Sequence, residues 1–180
     1  KKWPPIWEIL ANKKVSIGIF GSLQSYPPYI NKNTKFYLPD TFSPTPDAYP
    51  KDLMDFQKFN LNVVNKNKAL PRKFCLLDYV NFMKLLISRN IKLNSILRII
   101  KHLMQEAIYS RYRKRRSLMQ AILSFDVYEK YLLKNEPEFT TYFTNHVAGM
   151  MHRYWDNLFE NKSTSKESLF NKNSIIEAMD

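Results

Sequence analysis

The sequence predicts an α/β protein, part of an open, mostly parallel sheet flanked by helices, with a helical insertion. Residues 15–20 and 138–144 are rich in β-branched, aromatic and other apolar residues, a composition typical of strands buried on both faces. The stretch from 51 to 135 has the apolar spacing of successive helices. We therefore expect a core strand and its loop in 1–50, a cap-like helical insertion in 51–135, and a return to the core in 136–180.

The N-terminal segment predicts a helix, a strand and a long loop. Residues 6–11 have helical apolar spacing, and the strand at 15–20 ends at Gly21. A helix followed by a buried strand is half of a βαβ unit. Residues 21–50 contain most of the prolines, and proline excludes a regular helix or a central strand. We expect a loop here that serves a site or a lid, with a brief strand at 35–38.

Helices dominate the predicted insertion, and shorter elements follow it. The predicted helices cover 52–66, 73–88, 93–123 (as one helix or two, capped by Asn94 or Ser95) and 124–133. After the strand at 138–144 we expect a short helix at 147–155, a polar loop at 159–172, and the first turns of a helix capped by Ser174.

Composition limits the classes of function. Three glycines in 180 residues exclude a glycine-rich phosphate loop, and no apolar run reaches the length of a transmembrane helix. The single cysteine, Cys75, is expected to be buried on a helix; it forms no intrachain disulfide and permits a reducing, cytoplasmic setting. The chain starts at Lys1 without an initiator methionine or a signal-like run, so we expect an internal piece of a longer protein.

Two of the three histidines, His146 and His152, are the candidate metal ligands. On one regular helix, six residues would turn the second ring about 600° from the first, so the two would not share a face. They converge only if His146 ends a strand and His152 follows a turn. The alternative is that both histidines are structural and hydrogen-bonded to backbone carbonyls.

Residues 137–146, followed by His152 and Tyr154, resemble the type I phosphodiesterase/nucleotide pyrophosphatase group of the alkaline-phosphatase-like superfamily. In that group a strand leads to an Asp-x-x-x-His-x-aromatic segment whose Asp and His bind a metal. His152 and Tyr154 match this pattern, but Ala148 stands at the position of the Asp. His146 or Asn145 would have to replace that ligand.

The stretches at 7–21, 26–28, 36–42 and 46–50 are similar to bacterial members of the same group. The resemblance implies a hydrolase that uses two divalent metals, often zinc, and a Thr or Ser nucleophile. The substrate would be a phosphorylated or other anionic small molecule or glycan. In the family the nucleophile precedes such a segment and further ligands follow it, so this chain alone would be inactive and we nominate no nucleophile in it.

A net charge of +12 and the basic run at 111–116 support an alternative function. A basic helical module could bind RNA or an anionic membrane surface, although we expect the run to be a solvated helix face and expect no specific nucleic-acid binding. A non-catalytic relative of the hydrolase fold is a further alternative. The remaining polar candidates are expected to be turn or cap residues; they are Ser22, Ser25, Asp40, Asp47, Asp52 and Asp55.

Overall fold

A computed structural model describes residues 3–67, 91–159 and 166–179. The first elements are α1 (Ile6–Asn12), β1 (Ile17–Phe20), β2 (Thr34–Leu38) and α2 (Leu53–Asn67). Then follow α3 (Leu93–Ile108), the 3₁₀ helix η1 (Ser110–Arg115), α4 (Arg116–Asn135) and β3 (Phe139–Tyr142). The last are α5 (His146–Tyr154), α6 (Asp156–Phe159) and α7 (Lys166–Met179).

The three strands form one parallel sheet in the order β2–β1–β3. Along the central strand β1, Ile17 pairs with Phe139 and Phe20 with Tyr142. The α/β class is confirmed, and so is the prediction that the two apolar strands are parallel neighbours. All four residues of β1 are buried, as expected for a central strand with side chains packed on both faces.

The chain divides into two compact units. The first contains the described residues of Lys1–Lys92 together with Phe125–Phe143; the second contains Leu93–Ser124 and those of Thr144–Asp180. The first unit thus holds the sheet, and the second is helical. The predicted segment 51–135 contributes to both units.

Helix α1 covers one face of the sheet. Ile17 and Ile19 of β1 point to this face and pack with Tyr37 of β2 and Ala11 of α1, all at most 1% exposed. Because alternate residues of a strand face the same side, the other face is left to Gly18 and Phe20.

Aromatic rings cover the opposite face. The Phe20 ring centroid is 6.1 Å from Phe56 of α2 and 5.7 Å from Tyr128 of α4. Phe36 of β2 packs with its ring centroid 5.9 Å from Tyr131. The ring of Phe36 lies over Gly18, where an added Cβ would be 2.4 Å from the Phe36 Cζ. Glycine is therefore required on this strand for steric reasons.

The second unit has a separate apolar core. Its buried members come from α4, α5 and α7: Leu118, Met150, Ile175 and Ala178. In the part of the chain that the structure describes, no helix combines the length and the apolarity needed to cross a membrane.

The predicted stretch 93–123 forms two segments separated by η1, which was one of the two alternatives. The boundary predicted at 124 was wrong, because α4 runs without interruption through Ser124. The predicted polar loop at 159–172 is partly helix, because α7 begins at Lys166. Ser174 is therefore not a cap: it is buried inside α7 and its hydroxyl donates to the Phe170 carbonyl. The predicted helix 73–88, with Cys75, lies outside the described residues.

Candidate functional site

The carboxyl ends of the three parallel strands meet at one edge of the sheet, where ligands bind in open α/β sheets. The turn after β1 begins at Gly21, which has a φ of 71°. Its N–H donates to the Leu38 carbonyl over 2.8 Å, and an added Cβ would be 2.6 Å from the Phe143 oxygen. Only glycine combines this φ with so close a backbone approach.

Hydroxyl groups connect the strand ends at this edge. Ser22 lies 2.7 Å from Thr141 of β3, Oγ to Oγ1, with either atom able to donate. The Ser25 hydroxyl donates to the Ser22 carbonyl, which makes Ser25 a turn former as expected. Ser22 is 9% exposed, so its hydroxyl is nearly enclosed.

The carboxylate of Asp40, 5% exposed, follows β2 at the same edge. It accepts hydrogen bonds from the backbone N–H groups of Gln24 and, over 2.9 Å, Phe42. The Gln57 amide of α2 donates to the Asp40 carbonyl at 3.0 Å and to the Ser43 hydroxyl at 3.0 Å. The predicted turn role of Asp40 is confirmed, because its carboxylate organises the loop.

The other predicted loop carboxylates also have local partners. Asp47 accepts from the Thr45 hydroxyl over 2.6 Å, Asp52 accepts from the Tyr131 hydroxyl, and Asp55 lies 3.4 Å from the Lys58 ammonium.

His146 is the first residue of α5, and both of its ring nitrogens have hydrogen-bond partners. Nε2 lies 3.1 Å from the Ala178 carbonyl, to which it must donate. In that tautomer Nδ1 accepts from the Thr144 hydroxyl, 3.2 Å away. Burial lowers the pKa of His146, and the hydrogen bond to Ala178 opposes this only in part. His146 thus joins the start of α5 to the end of α7 as a neutral imidazole.

His152 is exposed and lies on the same helix as His146. Six helical residues turn the second ring about 600° from the first, so the two rings point to different sides of α5. No group of three or more His, Cys, Asp or Glu side chains suited to a metal occurs among residues 3–67, 91–159 and 166–179. A metal shared by both histidines stays a prediction, and the geometry favours His152 as the available ligand.

The basic run at 111–116 is only partly a solvated face, because Arg111 and Arg113 are exposed. It forms η1 and the start of α4, and the side chains of Arg115 and Arg116 are only 15% and 14% exposed. Arg115 Nη1 lies 2.6 Å from Glu177, and Lys114 Nζ lies 2.8 Å from Glu167. The charges of Arg115 and Arg116 are therefore balanced by Glu177 and Glu106 within the second unit.

Glu106 of α3 forms a buried ionic cluster that sequence reasoning missed. Its carboxylate binds the Arg116 guanidinium through two hydrogen bonds and lies 3.6 Å from His102 Nε2. Burial alone would raise the pKa of Glu106, but His102 and Arg116 outweigh burial and lower it to about 2. The spacing of His102 and Glu106, one helical turn apart, was the available signal.

Comparison of the chain with protein-family models, with curated proteins and with solved structures gives no match.

Proposed function

We propose that the chain forms part of a metal-dependent phosphoester hydrolase of the phosphodiesterase type. The observation that carries the proposal is the path of the chain after β3. A parallel strand leads, after three residues, into α5, on which His152 has an exposed imidazole. This strand-then-histidine order is the part of the sequence that resembles the phosphodiesterase group.

The two histidines have different roles in this proposal. His152 acts as a ligand for a divalent metal, which is zinc in many enzymes of this kind. His146 holds α5 against α7 through Ala178. A zinc site needs three or four protein ligands, and His152 supplies one exposed imidazole. The metal would stabilise charge on the oxygens of the phosphoester; we assign no reaction step to residues of this chain.

The rival function, a basic module that grips RNA or an anionic membrane, loses its main support. The run at 111–116 was its strongest signal, but Arg115 and Arg116 form ion pairs with Glu177 and Glu106. The net charge of +12 remains as support for that module, but it does not single out a binding surface.

The test is hydrolysis of bis(p-nitrophenyl) phosphate, with zinc, by the protein at its natural length. His152→Ala should lower kcat/KM by more than the roughly 10–100-fold typical of outer-shell changes. Arg153→Ala, a change at the neighbouring exposed residue, is the matched control and should leave the rate nearly unchanged. Equal activity of the wild type and His152→Ala would refute the metal role. A folded, zinc-free and inactive wild type would instead indicate a non-catalytic relative.

A further inference from the structure

A cleft in the second unit combines several cationic side chains. Its volume is about 180 Å³, and its walls come from α3, η1, α4 and α7. The lining side chains that matter here are Arg98, Lys101, His102, Tyr112, Arg115 and Glu177. The volume is below the ~300 Å³ of ordinary small-molecule pockets, so it suits a single small group.

The cleft carries more positive than negative charge. Glu177 is shared by two arginines: its Oε1 lies 3.6 Å from Arg98 and its Oε2 lies 2.6 Å from Arg115. Lys101 is exposed, and no carboxylate forms an ion pair with it in the described parts of the chain. Three cations thus face one carboxylate, and an anion would reduce this imbalance.

Arg115 is held in place before any ligand arrives. Its Nε donates to the Ser174 hydroxyl over 2.7 Å, and its guanidinium lies 4.3 Å from the Phe170 ring centroid. A fixed, planar guanidinium loses little conformational entropy when it binds an oxyanion. Arg98 and Lys101 also line the cleft and are more exposed than Arg115.

Buried His102 adds a polar wall to the same cleft. The residue is 4% exposed, and its Nε2 has no hydrogen bond in the described structure. The nearest carboxylate oxygen, on Glu106, is 3.6 Å away, which is too long for a good hydrogen bond. The Tyr112 ring closes the cleft beside it, with its centroid 6.2 Å from that of His102.

We propose that this cleft binds a phosphate group, either as inorganic phosphate or as the phosphoryl group of a small monoester. A tetrahedral oxyanion fits the volume and matches the excess positive charge of Arg98, Lys101 and Arg115 over Glu177. This site requires no metal and does not involve His152. It therefore stands or falls independently of the proposed hydrolase activity.

The experiment is calorimetric titration of the full chain, in EDTA and at low salt, with inorganic phosphate and separately with glycerol 3-phosphate. EDTA removes any metal-bound phosphate from the measurement. Lys101→Gln and Arg98→Gln should each weaken binding about tenfold or more, the value of one charged hydrogen bond. Lys172→Gln, a change of an exposed lysine of α7 that does not line the cleft, should leave binding unchanged.

Either ligand supports the proposal if its binding is weakened in both cleft variants, and the stronger binder identifies the source of the phosphate group. No binding of either ligand up to about 10 mM, or binding that Lys101→Gln and Lys172→Gln weaken equally, would overturn it. Circular dichroism of each variant confirms that the fold is kept, and both substitutions are at exposed positions.

Discussion

At the scale of single residues, two glycines on different elements differ in whether the surrounding structure requires glycine. Gly18 lies under the Phe36 ring, with no room for a methyl group, whereas nothing lies within 4 Å of the position of an added Cβ on Gly149 in α5. The sequence contains three glycines, but it could not say that Gly18 is sterically required and Gly149 is not. That depends on the register of β1 with β2, which places Phe36 opposite Gly18.

Gly18→Ala should destabilise the protein, because the new methyl group would overlap the Phe36 ring. Overpacking of this kind typically costs about 1–3 kcal/mol. Gly149→Ala should instead stabilise by up to about 1 kcal/mol, since alanine favours a helix. Urea unfolding of both variants measures the difference. Phe36→Leu should relieve the Gly18→Ala defect in the double variant; a neutral Gly18→Ala would contradict the packing.

At the scale of elements, composition alone was misleading where helices carry polar residues on their buried sides. Helix α7 is rich in Ser, Lys and Asn, which predicted a loop, yet Ser168, Asn171 and Ser174 are buried. Likewise, η1 contains neither proline nor glycine, so the sequence left open whether 93–123 forms one helix or two. Strand β1 was predictable because it is an apolar run too short for a helix, and β3 because its residues are all aromatic or β-branched.

Substitution of Arg113, Arg115 and Arg116 by Gln should destabilise the second unit, although a solvated face would have tolerated it. Arg115 and Arg116 bond Glu177 and Glu106, and Glu106 is 9% exposed. Loss of one partner of a buried pair typically costs about 3–5 kcal/mol. Thermal unfolding measures this. Gln at the exposed residues Lys172 and Arg153 is the control; equal melting temperatures would restore the solvated-face interpretation.

His146 should make the contact between α5 and α7 sensitive to acid. Burial lowers its pKa in the folded state, so the unfolded chain binds the proton more tightly. The contribution of His146 to stability is therefore fully present above its pKa in the unfolded chain, about 6.5. It is lost as the pH falls through the lower pKa that His146 has in the folded protein. His146→Gln should flatten the stability profile below pH ~6.5, as measured by urea unfolding at a series of pH values. His152→Gln should not alter it.

At the scale of the whole molecule, the parallel sheet was predictable and the site only in part. The resemblance singled out His152, and the structure leaves its side chain exposed. It also singled out His146, whose bond to Ala178 depends on how α7 packs against α5, and the sequence could not predict that packing. A site assembled from distant elements cannot be derived from spacing along one of them.

Zinc affinity tests whether His152, rather than His146, is the metal ligand. Because the described residues contain no group of three ligands, the 180-residue chain should bind zinc weakly. A single imidazole provides one of the three or four protein ligands of a zinc site. In the proposed hydrolase, ligands outside these 180 residues complete the site, so a chain that includes them should bind zinc tightly. His152→Ala should abolish that binding, while His146→Gln retains most of it. Competition with a chromogenic chelator measures both affinities. Tight binding by the 180-residue chain that survives His152→Ala would place the metal elsewhere and contradict the assignment of His152.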